Sequence, residues 1–134
     1  MRPSVFVALW AALVFVPAAA LSQTGDAGPD KGMIDQTKAV TAASELARNT
    51  LVHGGGGAAR IEKVTSTAGR AGVRVAFEDS GPGIGDVDLA LTDGWTTGGG
   101  LGLGLSGARR LVDDFSLTTE AGAGTTVVMT KWAR

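Results

Sequence analysis

The chain has 134 residues, 44% of them apolar, with 12 lysines and arginines against 13 aspartates and glutamates. That describes one small domain able to build a single core, and a formal net charge of −1 carries no basic surplus for nucleic acid. The absence of cysteine excludes disulfides, thiolate catalysis, zinc fingers and iron–sulfur clusters, and the single histidine excludes multi-histidine metal sites.

In chain order, residues 5–16 (VFVALWAALVFV) are a nearly pure apolar run after Arg2, ended by Pro17 and followed by Ala18-Ala19-Ala20. A basic start, an apolar middle and small residues make the pattern of a secretory signal, too short for a membrane span of about 20 residues. A buried strand or helix of the domain is the other reading. Residues 23–32 (QTGDAGPDKG) read as a loop. From Ile34 to about Val52 nothing interrupts a helix, with Asp35 placed to cap its start and Gly54 to end it. Ala39, Ala43, Leu46 and Ala47 recur at helical spacing. Thr41, Glu45, Asn49 and His53 follow at steps of four, forming a stripe beside that apolar face.

After the four-glycine break at 54–57, residues 59–67 and 72–79 alternate as two strands joined by a short turn, with Val73, Val75 and Phe77 on one face. DSGPGIG (79–85) is a glycine-rich turn leaving a strand end, and 87–91 is a short amphipathic piece. TTGGGLGLGLSG (96–107) leads into a helix over 103–112, and strands follow over 115–120 and 125–132. The order of helix, two strands, glycine loops, helix and two strands predicts an α+β domain, a two-layer sandwich with helices on one face of a mixed, mostly antiparallel sheet.

Sixteen of the 21 glycines fall between Gly54 and Gly107, where the backbone is free to approach something bulky. The GxGxxG at 102–107 lacks the preceding strand of a dinucleotide site, and Asp113, Asp114 and Glu120 come too early for its ribose-binding acid. No lysine follows these glycines as a P-loop requires, and the eukaryotic-type kinase signatures are missing. What remains is a glycine loop opening a helix, whose backbone N–H groups can hold phosphate oxygens. His53 reads as a helix-end residue, Arg109 and Arg110 as solvated helix positions, and Trp95 and Trp132 as core or rim.

Three blocks in this order, ELARN (45–49), DSGPGIG (79–85) and the long glycine loop trailed by GAGTTVVMTKW (122–132), resemble the GHKL ATPase superfamily of histidine kinases, gyrase-type ATPases and Hsp90. In length and wording the chain is similar to the small bacterial serine/threonine kinases of partner-switching stress signalling. Residues 79–115 are similar to the stressosome-associated switch kinase. The resemblance spans roughly 33–132 and implies a Bergerat-type ATP-binding fold using ATP and Mg²⁺.

The resemblance also implies a role for each matching residue. Asn49 would ligate Mg²⁺, and Glu45 would take or position the proton of the attacking hydroxyl. Asp79 would accept a hydrogen bond from the adenine amino group. Gly81, Gly83 and Ile84 would pass under the base, and Thr125 would support it. Gly98, Gly99, Gly100, Leu101, Gly102, Leu103 and Gly104 would roof the phosphates. The implied activity is phosphorylation of a STAS-domain antagonist, followed by a switch of partner that activates a phosphatase. An anti-sigma factor that sequesters a sigma factor, or a non-catalytic adaptor of the same fold, are the alternatives.

Such proteins begin with a strand and an amphipathic helix before the Asn49 helix, where this chain has the apolar run and QTGDAGPDKG. Cleavage near Ala20 would leave too little chain to supply both. The expectation is therefore a divergent or signal-like segment over 1–32, a kinase domain over 33–134, and a cytoplasmic protein with no membrane or nucleic-acid partner.

Overall fold

The computed structural model describes residues 5–9, 29–92 and 104–134. The elements in order are β1 (Val5–Leu9), α1 (Pro29–Val52), β2 (Gly57–Thr65), β3 (Ala71–Asp79), α2 (Val87–Ala90), α3 (Gly104–Leu111), β4 (Asp114–Glu120) and β5 (Gly124–Trp132). The strands form one sheet in the order β1-β2-β3-β5-β4. Every pairing is antiparallel, so among the described residues the sheet is not the mixed one expected. β5 enters between β3 and β4 because the chain leaves β3, crosses the helical layer through α2 and α3, and returns to the far edge before turning back.

Alternation sends Ala59, Val75, Phe77, Val127 and Met129 to one face of the sheet, where they meet Ala42 and Leu46 of α1, Ala90 of α2, and Leu105 and Ala108 of α3. This is the core. Val73 shares the face but stays 44% exposed, at the end of the sheet away from Phe77. The opposite face is largely polar and carries the Arg60–Glu78 ion pair at 3.0 Å. Trp132 lies there across Gly72, where any Cβ would meet the indole ring.

Several boundaries differ from the expectation. Helix α1 starts five residues early, at Pro29, inside the stretch read as a loop; proline is tolerated in a first turn because its missing N–H would have no partner there anyway. Asp35 is therefore not the cap. It sits within α1, and its carboxylate reaches Lys131 Nζ at 3.5 Å and Arg134 Nε at 3.6 Å. β2 begins two residues earlier than its alternation suggested, because Gly57 pairs with Asp79, packed so closely on Glu78 O that no side chain fits. Residues 5–9 of the N-terminal apolar run are a strand paired with β2, Val5 opposite Ile61 and Leu9 opposite Gly57. Among the described residues no helix is long and apolar enough to cross a membrane.

A charged cluster closes the Trp132 end of the sheet. Lys131, 7% exposed, lies 3.2 Å from Asp113 as well as beside Asp35, and Arg134 approaches both acids at 3.6 Å. Burial pushes the Asp113 carboxyl up. Hydrogen bonds from Trp132 N–H and Lys131 Nζ, with the charges of Lys131 and Arg134, outweigh that and hold it below the usual carboxylate value.

Candidate functional site

At the other end, β3 and β5 finish side by side, Asp79 opposite Thr125. Asp79 Oδ1 accepts the backbone N–H groups of Gly81 at 2.9 Å and Thr125 at 3.2 Å, while no hydrogen bond reaches Oδ2 among the described residues. Helix α1 stops directly against this carboxylate. His53 and Gly54 N–H both bond Asn49 O, and a Cβ on Gly54 would collide with the Asp79 side chain. Gly55 and Gly56 then turn the chain with φ of 75° and 106°, values that favour glycine.

The DSGPGIG turn is strapped down from beneath. Gly122 N–H bonds Pro82 O at 2.9 Å, and the Thr119 hydroxyl accepts Ile84 N–H at 2.9 Å while lying 3.0 Å from Thr125 Oγ1. Gly81 presses on the Gly54 backbone, and Gly83, with φ of 78°, presses on Glu120 O. A side chain at either would force these strands apart. Asp86 then caps α2 by accepting Leu89 N–H at 2.9 Å.

These elements enclose a cavity of about 360 Å³, within the usual range for small-molecule sites. Glu45, Asn49, Asp79, Gly83, Ile84, Gly104 and Thr125 all line it, and Gly81 lies under its edge against Gly54. Gly98, Gly99, Gly100, Leu101, Gly102 and Leu103 lie outside the described residues. Glu45 is only 5% exposed, and along α1 it stands about 6 Å below Asn49 at 1.5 Å per residue. A buried acid and an amide thus occupy one pole, and a strand-end carboxylate the other.

Sequence alone did not single out several residues that build the site, His53 and Gly54 in its wall and Thr119 beneath it. His53 continues the Glu45–Asn49 stripe into the cavity, and the four-residue spacing could have placed it there. Thr119 carries no local signal at all, since only the β4–β5 hairpin brings it under Ile84. Gly54 read as a helix stop, and its contact with Asp79 across 25 residues of chain was not legible.

An α+β layer whose helix end and glycine turn converge on one strand-end carboxylate is the framework of a nucleotide-dependent phosphotransfer class. The model of the histidine kinase-, DNA gyrase B-, and HSP90-like ATPase family matches residues 34–133, and the chain belongs to that family. Among curated proteins, it is 47% identical over 103 residues to the serine/threonine-protein kinase RsbT of Bacillus subtilis (strain 168), a match covering 77% of each chain.

Proposed function

We propose that the protein is an ATP-dependent serine/threonine protein kinase that phosphorylates a STAS-domain antagonist and, by changing partner, activates a phosphatase in stress signalling. The observation that carries this reading is the meeting of Glu45 and Asn49 from one sequence block with Asp79 from another in one cavity. Kinship with a named serine/threonine kinase supports the activity.

The residues fit the nucleotide. Asp79 Oδ2 is the acceptor left over once Oδ1 is held by two backbone N–H groups, which suits a single exocyclic amine. Gly81 and Gly83 let the turn pack against the Gly54 and Glu120 backbone beside Asp79, and Ile84 with Val127 and Leu46 gives apolar walls for a flat base. No group of three or more acidic, histidine or cysteine side chains that could hold a metal exists among the described residues. Asn49 lines the cavity and offers an amide oxygen, which suits Mg²⁺ in the way that ion is usually bound, by one or two protein oxygens with phosphates and waters. Bound ATP supplies the phosphoryl group, and Mg²⁺ neutralises its charge.

The chain's own part is positioning and proton handling. Thr125 N–H and Gly81 N–H hold Asp79 in one orientation, so the carboxylate meets the base without reorganising. Glu45, one helical turn before Asn49 and lining the same cavity, is the proposed acceptor of the proton of the acceptor hydroxyl as it attacks. Gly104, which lines the cavity, is the described part of the glycine loop proposed to cover the phosphates. Little reactive chemistry is asked of side chains, as is usual for phosphoryl transfer. The proposed kinase domain of 33–134 is joined by its N-terminal segment, which supplies the edge strand β1 and the first turn of α1, and the cytoplasm, where ATP is supplied, is the proposed working compartment.

The test is equilibrium binding of ATP with Mg²⁺, followed by phosphotransfer to a purified STAS-domain protein. ATP binding with phosphotransfer is the expected result, and no binding ends the reading. Binding without transfer marks an adaptor, and capture of a sigma factor in place of the antagonist marks an anti-sigma factor.

A further inference from the structure

We propose that Thr119, which stands behind the cavity wall, is a positioning residue for base recognition. It gives its hydroxyl proton to Thr125, and so turns the Thr125 proton toward a ring nitrogen of the bound purine. The inference rests on the nucleotide reading of the cavity and extends it from the exocyclic amine at Asp79 to the ring beside that amine.

Register places three polar side chains in one line across the sheet. Asp79 of β3 is opposite Thr125 of β5, and Thr125 is opposite Thr119 of β4. The row two residues further in is apolar: Phe77, Val127 and Leu117 stand opposite one another in the same way and belong to the core or pack against it. Side chains two apart on a strand share a face, so the polar row continues the core face out to the end of the sheet. Asp79 and Thr125 line the cavity there. Thr119 is the half-buried third member, one strand further back.

A hydroxyl has one proton to give and two lone pairs to receive with. Thr119 Oγ1 receives Ile84 N–H at 2.9 Å. Its own proton has two acceptors in reach, Gly124 O at 3.2 Å and Thr125 Oγ1 at 3.0 Å, and the contact between the two hydroxyls admits either as donor. Two arrangements follow. In one, Thr125 donates to Thr119 and Thr119 donates to Gly124 O, so both protons are spent inside the fold and Thr125 offers the cavity lone pairs alone. In the other, Thr119 donates to Thr125, and the Thr125 proton is left for the cavity. Rotation of two hydroxyls converts one into the other without moving a heavy atom.

The base decides between them. Asp79 Oδ2 already supplies the acceptor for the amine of adenine, and the ring nitrogens flanking that amine each carry a lone pair. In the first arrangement a flanking nitrogen would face the lone pairs of Thr125 and lose its water without gaining a partner, which costs free energy. The second sets an acceptor against the amine and a donor against the ring nitrogen, so bound adenine selects it. A purine with an oxo group at that carbon brings its oxygen against the Asp79 carboxylate and is disfavoured. Thr119 thus acts through Thr125, and by holding Ile84 N–H it ties the turn that walls the base to the same hydroxyl.

The test titrates ADP, 1-deaza-ADP and 7-deaza-ADP into the full chain; each deaza analogue lacks one of the ring nitrogens that flank the amine. In wild type one of the two analogues is expected to bind about tenfold more weakly than ADP, the worth of one hydrogen bond. That ratio is expected to fall to about twofold in Thr119→Val and in Thr125→Val, to fall no further in the double variant, and to return in Thr119→Ser. A residue that merely braces the Ile84 turn would weaken ADP and its analogues together and leave the ratio where it was. An unchanged ratio in Thr119→Val therefore overturns the proposal, as does a wild type that binds all three nucleotides alike. Should Thr119→Val not fold, Thr125→Val carries the test, and a tenfold ratio kept there overturns the proposal equally. A wild type that binds no ADP removes the nucleotide reading itself, and the inference falls with it.

Discussion

The same two strands, β3 and β5, end in opposite ways. At the Gly72–Trp132 end, Lys131, Asp35, Asp113 and Arg134 bring two cations and two acids within 3.6 Å of one another, and each charge finds its opposite inside the fold. At the Asp79–Thr125 end a single carboxylate has one oxygen held by two backbone N–H groups and the other with no bond from the described residues. Among the described residues no ion pair reaches it, and Gly54 lets the end of α1 pack directly against it. One end spends its polar groups on itself and closes. The other keeps acceptor capacity in reserve beside a cavity, which is what a binding site requires.

Four substitutions test that contrast, from the largest effect to the smallest. Glu45→Ala is expected to keep nucleotide affinity and lose phosphotransfer by between about a hundredfold and ten-thousandfold, the range for a general base. Single-turnover transfer measured beside ADP binding checks it, and a parallel loss of both quantities would remove Glu45 from that role. Gly124→Ala attacks the framework of the open end: Gly124 has φ of 104° and lies against Asp79 O, so a methyl group there strains the backbone and pushes Asp79 away. A cost of about 3 kcal/mol is expected, read as a fall of roughly 10 °C in Tm.

Asp79→Asn keeps an oxygen for the Gly81 and Thr125 N–H groups but removes the charge and adds a donor. Nucleotide affinity should fall about tenfold to a hundredfold with stability nearly unchanged. A large drop in Tm with affinity retained would make Asp79 a strut of the turn and no more.

Asp113→Asn probes the closed end. Its carboxyl is held below the usual value when folded, so the unfolded chain binds the proton more readily and stability rises with pH through that range. Its contribution is present above the unfolded value near pH 4 and is lost as pH falls through the folded one. The variant should be slightly less stable at neutral pH and lose less on acidification, by denaturant titration from neutral pH downward, with nucleotide binding untouched. Identical acid profiles would show that the cluster acts through packing alone.

Much of the site was legible because its chemistry sits in short local blocks. The four-residue spacing of Glu45, Asn49 and His53 needs only a helix to align it, and DSGPGIG needs only a strand end before it. Thr119 was not legible, because it reaches Ile84 through a hairpin partner 35 residues away in the chain. The start of α1 was misread for a related reason. Glycine, proline and aspartate weaken the local helix signal over 29–32, yet the helix runs through them, packed on the sheet below and pinned through Asp35 to Lys131.

Composition and periodicity by themselves determined a single small α+β domain, its two hairpins and its central helix, because alternation and helical spacing are properties of neighbours in the chain. Tertiary structure alone decided that β5 enters the sheet between β3 and β4, that α1 ends against Asp79, and that the two ends of the β3–β5 pair become a closed ion cluster and an open cavity. Those outcomes depend on which groups meet across tens of residues, and the energy of a charge or an unpaired oxygen is set by what surrounds it in space.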